Sequence, residues 1–132
     1  LFELESFRVT TEKREGSRVE TEATIKVEVD GRRYVEVAEG NGPVNALDRA
    51  LRAAIAGHHP DLAGIELTNY KVRILDETHG TDAVTRVLLE SSDHKREWET
   101  IGVSENIIEA SWEALVDSLE FAFQPRRTDG AG

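Results

Sequence analysis

Few residues in this 132-residue chain are suited to chemistry, and their spacing argues against most of what they could do. There is no Cys, which removes disulfides, thiolate metal sites and thiol nucleophiles. His58 and His59 are adjacent, after a helical stretch and before Pro60. Neighbouring histidines on a loop seldom face one ion, and no carboxylate stands at a metal-ligand spacing from them. His79 and His94 fall in turn-like segments and are expected to be solvated. The serines lack a nucleophile elbow, and no Ser, His and acid set stands out. Acids are abundant, 26 Asp+Glu against 16 Lys+Arg, but along the strands they take the polar face. The expectation is therefore no catalytic residue, no metal and no cofactor in this chain. The most pointed local feature is Gly40-Asn41-Gly42-Pro43. It lacks the Lys and the spacing of a P-loop. Two readings stay open: a tight strand-to-helix turn that needs glycines, or two small residues that let a ligand approach the N–H groups of a helix start. A carboxylate would suit that place, and Gly102-Val103-Ser104-Glu105-Asn106 occupies the equivalent position later in the chain.

The elements that must position these residues follow from periodicity. Phe2 to Lys13 has strand character, and Glu15-Gly16-Ser17 supplies a turn. Val19 to Val29 alternates apolar and polar residues with a period of two, the mark of a half-buried strand. Asp30-Gly31 is a hairpin signal, and Arg33 to Glu39 forms the third strand. Pro43 opens a helix whose stripe is Val44, Leu47, Leu51, Ala54 and Ile55, stopped by Gly57 and Pro60. The plan then repeats. Ile65 to Leu75 and Ala83 to Ser91 read as strands joined by a polar loop over Thr78 to Asp82. Ser92 to Lys95 is a turn, and Glu97 to Val103 the last strand. Ser104 is placed as N-cap of a helix with the stripe Ile108, Ser111, Trp112, Leu115, Leu119 and Phe123. Leu4-x-x-Phe7-Arg8-Val9 matches Leu67-x-x-Tyr70-Lys71-Val72. The segment from Asp30 to Tyr34 matches Asp93 to Trp98 with one residue inserted, and Val44-x-Ala46 matches Ile108-x-Ala110, all at an offset near 63 or 64. The fold class expected is α+β: two pseudo-symmetric β-β-β-α units, residues 2–60 and 64–124, antiparallel sheets packed with helices. One domain spans 1–125, and residues 126–132 form a disordered tail.

Composition bounds the rest. Net charge is −10, so the surface repels phosphate backbones and nucleic-acid binding is not expected. No apolar run approaches a membrane span, and no signal-peptide pattern opens the chain. The lack of Cys suits a reducing cytosol, and a cytoplasmic protein is expected. A start at Leu1 is what an excised piece of a longer chain would show.

Several separated motifs carry a family resemblance. Gly40-Asn41-Gly42-Pro43-Val44-Asn45-Ala46, Tyr70-Lys71-Val72-Arg73-Ile74-Leu75, Thr85-Arg86-Val87 and the run from Gly102 to Trp112 resemble the C-terminal regulatory domain of 2-isopropylmalate synthase and citramalate synthase. The opening Leu4-Glu5-Ser6-Phe7-Arg8-Val9 is similar to the citramalate branch. The resemblance covers residues 2 to about 123. It implies an allosteric, homodimeric domain attached to an N-terminal catalytic (β/α)₈ barrel. Its effector would be isoleucine, favoured, or leucine, giving end-product feedback inhibition of an acetyl-CoA-dependent acyltransferase. It implies no turnover by this chain alone. The effector residues it implies are Asn45 and Ala46 on the first helix, Leu67, Tyr70 and Ile74 on the fourth strand, Val84 on the fifth, and Ile107 and Glu109 on the second helix; Gly40 and Gly42 join them from the ligand reading of the turn. The alternatives are a stand-alone small-ligand module or a purely structural dimerisation module. At the apolar positions, ordinary core packing is the competing reading.

Overall fold

The computed structural model describes residues 2–13, 19–75 and 84–123. The expected turn at Glu15-Gly16-Ser17, the loop from Thr78 to Asp82, Ala83, His79 and the tail all lie outside the described residues. Strands β1 (Glu3–Lys13), β2 (Val19–Val29) and β3 (Arg32–Gly40) lead into α1 (Pro43–Ile55). A single 3-10 turn, Pro60–Gly64, joins this unit to β4 (Glu66–Leu75), β5 (Val84–Ser92), β6 (Glu97–Ser104) and α2 (Ile107–Phe123). Each trio forms its own antiparallel sheet with the middle strand central, β1-β2-β3 and β4-β5-β6. The α+β class and the doubled β-β-β-α plan hold.

The central strand β2 shows why. Thr21, Ala23, Ile25, Val27 and Val29 are buried on one face, while Glu22 and Glu28 are exposed on the other. Each large aliphatic side chain buried this way contributes roughly 1.5–3 kcal/mol. The hairpin after β2 turns on Asp30 and Gly31, at φ 53° and 80°, so that Val29 pairs with Arg32. Two consecutive left-handed residues match the twist of the flanking strands, and Asp-Gly adopts them readily. Helix α1 buries Val44, Leu47, Ala50, Leu51 and Ile55 against β2 and β3, and α2 covers β5 and β6 in the same way. The two helices also touch each other. Gly102 on β6 permits the second of these packings, since a Cβ there would lie 1.9 Å from the Ala110 carbonyl oxygen.

The internal repeat is visible in the strand register. Phe7 pairs with Ile25 and Tyr70 with Leu89; Thr21 pairs with Gly40 and Thr85 with Ser104. The offset is 63 for the first strands and 64 for the second and third. Both first strands carry an irregularity at the same place, Leu4/Ser6 and Leu67/Asn69.

Two expectations need correction. The extra residue does not fall in the second hairpin turn: Glu28 pairs with Arg33 and Ser92 with Glu97, so Asp93 is the counterpart of Val29. The insertion belongs between the first and second strands of the unit. The N-cap of α2 is Asn106, whose Oδ1 accepts the Ile108 and Glu109 N–H groups at 2.7 and 3.2 Å, while Ser104 Oγ accepts the Asn106 N–H at 3.1 Å. Helix α1 ends at Ile55, ahead of Gly57 and Pro60. Its last turn closes through the His58 and His59 N–H groups, both donating to the Ile55 carbonyl at 3.0 Å.

Candidate functional site

The two units differ in how their first strands are covered. On β1, the inward side chains Phe2 and Phe7 pack on Trp112 of α2, with ring centroids 6.1 and 5.1 Å away, the second pair stacked at 24°. Val9 beside them is half-buried against the core. The corresponding residues of β4 are Tyr70 and Val72, followed by Ile74. The register puts all three on the helix-facing side of the second sheet, opposite Leu89, Val87 and Thr85. There they stand 38%, 39% and 66% exposed. The reason lies in α1. The counterpart of Trp112, 64 residues earlier, is Asp48, and the counterpart of Val116 is Arg52. Instead of an aromatic lid, this pair forms an ion bridge at 2.9 Å, and Arg52 donates to the carbonyls of Leu62 and Ile65 at 2.7 Å each. Burial pushes the Asp48 carboxyl up from its ordinary value, against the opposing pull of Arg52 and Arg49. The result is a firmly held joint between the units and an uncovered apolar strip on β4.

Leu67, Tyr70 and Ile74 are thus brought onto one face, and Val72, missed by sequence reasoning, lies with them. Leu67 packs against the core. Burial raises the Tyr70 phenol above its ordinary pKa, an effect partly offset by the nearby Ser111 hydroxyl. Ser111 is fully buried, and its Oγ makes no hydrogen bond of good geometry. Val84 is not on this face: it pairs with Leu75, one register step from the inward Thr85.

The helix starts are unequal. Gly42 caps α1 in an extended conformation, with no side-chain hydrogen bond and open space where a Cβ would stand. Gly40 has a packing reason, because a Cβ there would come within 2.6 Å of the Ala46 nitrogen and 2.5 Å of Asn45 Oδ1. Asn45 is engaged locally, accepting the Asn41 N–H at 3.1 Å, and Ala46 is buried. At α2 the first N–H groups are already satisfied by Asn106. Glu109 is exposed and accepts from Ser104 Oγ at 2.9 Å, and Ile107 is 38% exposed. Of the two described α-helix starts, α1 is therefore the one with an uncapped set of donors. Arg52 and Asp48 could have been found from their i,i+4 spacing. Nothing in the pattern marks Ser111, which reads as one more stripe position. Among the described residues no group of three or more His, Cys, Asp or Glu is placed to hold a metal ion, and no helix is long and apolar enough to cross a membrane.

Comparison with known proteins fits this geometry. The chain is 52% identical over 120 residues to the (R)-citramalate synthase of Streptomyces coelicolor, covering 91% of this chain and 22% of that protein. It is 56% identical over 102 residues to the (R)-citramalate synthase of Synechocystis sp., covering 77% and 19%. The 2-isopropylmalate synthase of Shewanella woodyi is 32% identical over 102 residues, covering 77% and 18%. The chain thus spans about a fifth of the length of these relatives. The family model described as the LeuA allosteric (dimerisation) domain matches residues 1–123, nearly the whole of the doubled β-β-β-α architecture, and the chain belongs to that family.

Proposed function

We propose that this chain is the amino-acid-sensing and dimerisation part of a citramalate or 2-isopropylmalate synthase, and that the uncovered face of β4 is where it works. The single observation that carries the reading is the contrast between β1, whose Phe7 lies under Trp112, and β4, whose Tyr70, Val72 and Ile74 stand open. A second copy would cover that strip, and a small zwitterion with a branched aliphatic tail would sit between the copies. The aliphatic tail gains on the order of 2–3 kcal/mol from burial against Leu67 and Ile74. The carboxylate is matched by the uncapped N–H groups of Gly42, Val44 and Asn45, where the helix dipole favours negative charge. The ammonium needs its own acceptor, since an unpaired buried charge is costly. Isoleucine is the favoured effector and leucine the alternative, discriminated by pocket shape, which is worth roughly 1–3 kcal/mol. Feedback inhibition then requires that the effector bind two arrangements of the parent enzyme unequally. The chemistry of condensation belongs to the catalytic part of the parent, and this chain contributes none of it.

Titration calorimetry with isoleucine, leucine and valine, together with sedimentation, tests the reading. A dimer that binds one of them saturably is expected. Gly42→Asp, which places a competing carboxylate at the α1 start, should abolish binding and leave the dimer intact. A dimer silent to all three amino acids would reduce the chain to a structural module. A monomer that binds none of them would end the proposal.

A further inference from the structure

The outer face of the second sheet carries a feature that the first lacks. Arg73 and Arg86 are direct cross-strand partners on β4 and β5, and Lys71 lies two residues along on the same face. All three are exposed, and none has an ion-pair partner among the described residues. Like charges directly opposite one another weaken a sheet. Scarcity of acids is not the cause in a chain with 26 of them. Nor does the fold require two cations here, because the same pair of positions in the first sheet holds Thr10 and Glu22. Beside the arginines runs an open groove of about 500 Å³ lined by Lys71, Val72, Arg73, Arg86 and Leu88. The apolar surface continues from Leu88 to its partner Ile101 and on to Val103, which are 40% and 46% exposed.

We infer that this groove is a binding site for a small polyanion, a molecule carrying two or more negative charges as phosphate esters or carboxylates. Two guanidinium forks side by side can each take an oxyanion through two parallel N–H donors, and the Lys71 ammonium adds a point charge. Leu88 offers a surface for the carbon skeleton of the ligand. The surrounding net charge of −10 disfavours long polyanions such as nucleic acid, so the site selects small molecules that fit under the arginines. Its charged side chains lie on the opposite side of the sheet from the inward Tyr70 and Ile74, with Val72 the one lining residue shared with that strip, and anion binding there does not require an amino-acid effector.

The test is an amide-resolved NMR titration of the chain with sodium pyrophosphate and, separately, with citrate, each against sodium chloride at matched ionic strength. Saturable shifts at residues 71–73 and 86–88 are expected with at least one probe. Arg86→Glu and Arg73→Thr install the residue types that the first sheet already carries at these positions. Each should weaken binding by about tenfold or more, the loss of a charge-assisted pair. Lys71→Ala provides a third variant should either fail to fold. Saturation by pyrophosphate alone assigns a phosphate ester, by citrate alone a polycarboxylate, and by both the shared chemistry. Shifts that never saturate and are matched by chloride, or affinity undiminished in the folded variants, overturn the inference.

Discussion

The two halves of the molecule are built on one plan but are finished differently. In the first unit, the inward face of β1 is lidded by Trp112 reaching across from the other helix. In the second, β4 has no such lid, because the helix position that would supply it carries Asp48. The interiors differ as well. Where the first unit has Val27 and Ala54, the second has Ser91 and Ser118, whose hydroxyls share a buried hydrogen bond of 2.6 Å, and the Trp98 indole N–H donates to the Ser118 carbonyl at 3.1 Å. Tyr34, the counterpart of Trp98, instead meets His58, its hydroxyl 2.7 Å from Nε2, while His58 Nδ1 lies 3.2 Å from Asp30. A duplicated scaffold can thus keep one half closed for stability and leave the other open for a partner.

The comparison can be broken most severely at Trp112. Trp112→Ala should cost about 3–5 kcal/mol in urea unfolding, the range for deleting a buried aromatic, and should leave β1 as bare as β4. A loss below about 1 kcal/mol would mean that the lid contributes little and the contrast between the units is superficial. The serine pair sharpens the comparison at intermediate scale. Ser91→Val alone removes the closer partner of the buried Ser118 hydroxyl, leaving it the Trp98 indole N–H at 3.3 Å, and should cost about 1 kcal/mol, whereas Ser91→Val with Ser118→Ala, the pairing of the first unit, should recover most of it. Equal losses in the single and double variants would show that the two interiors are not interchangeable.

The smallest effect concerns the second hairpin. Asp93 accepts the Lys95 and Arg96 N–H groups and the Arg96 guanidinium, which hold its carboxyl down from 3.8 to about 2. A depressed folded-state pKa stabilises the fold above the unfolded value, and that contribution is lost as pH falls through the folded one. The chain should therefore lose stability between pH about 4 and about 2, and Asp93→Asn should flatten that limb of a stability-versus-pH curve. An unchanged limb would place the acid sensitivity elsewhere. The first hairpin, built on Asp30-Gly31, makes no comparable carboxylate cradle.

Much of the architecture was legible because it rests on local pattern. The alternation through Thr21, Ala23, Ile25, Val27 and Val29, the Asp30-Gly31 turn and the α1 stripe each determine an element from within a few residues. The N-cap of α2 was misplaced because Ser104 and Asn106 are both good caps, and only the chain direction decides between them. The open face of β4 was half legible. Periodicity places Tyr70, Val72 and Ile74 inward, but being uncovered depends on what the other helix carries at residue 48. Val84 pairs with Leu75 at the end of β5, one step from the inward Thr85, a placement that only the strand register reveals. The outward arginine pair was invisible for the same reason, since residues 73 and 86 become neighbours only when the hairpin closes.

Arg52, partly exposed on α1, grips the carbonyl of Ile65, the residue before β4 begins. It behaves like a pin through a hinge plate. Any displacement of the start of β4 would have to break this contact or carry α1 with it.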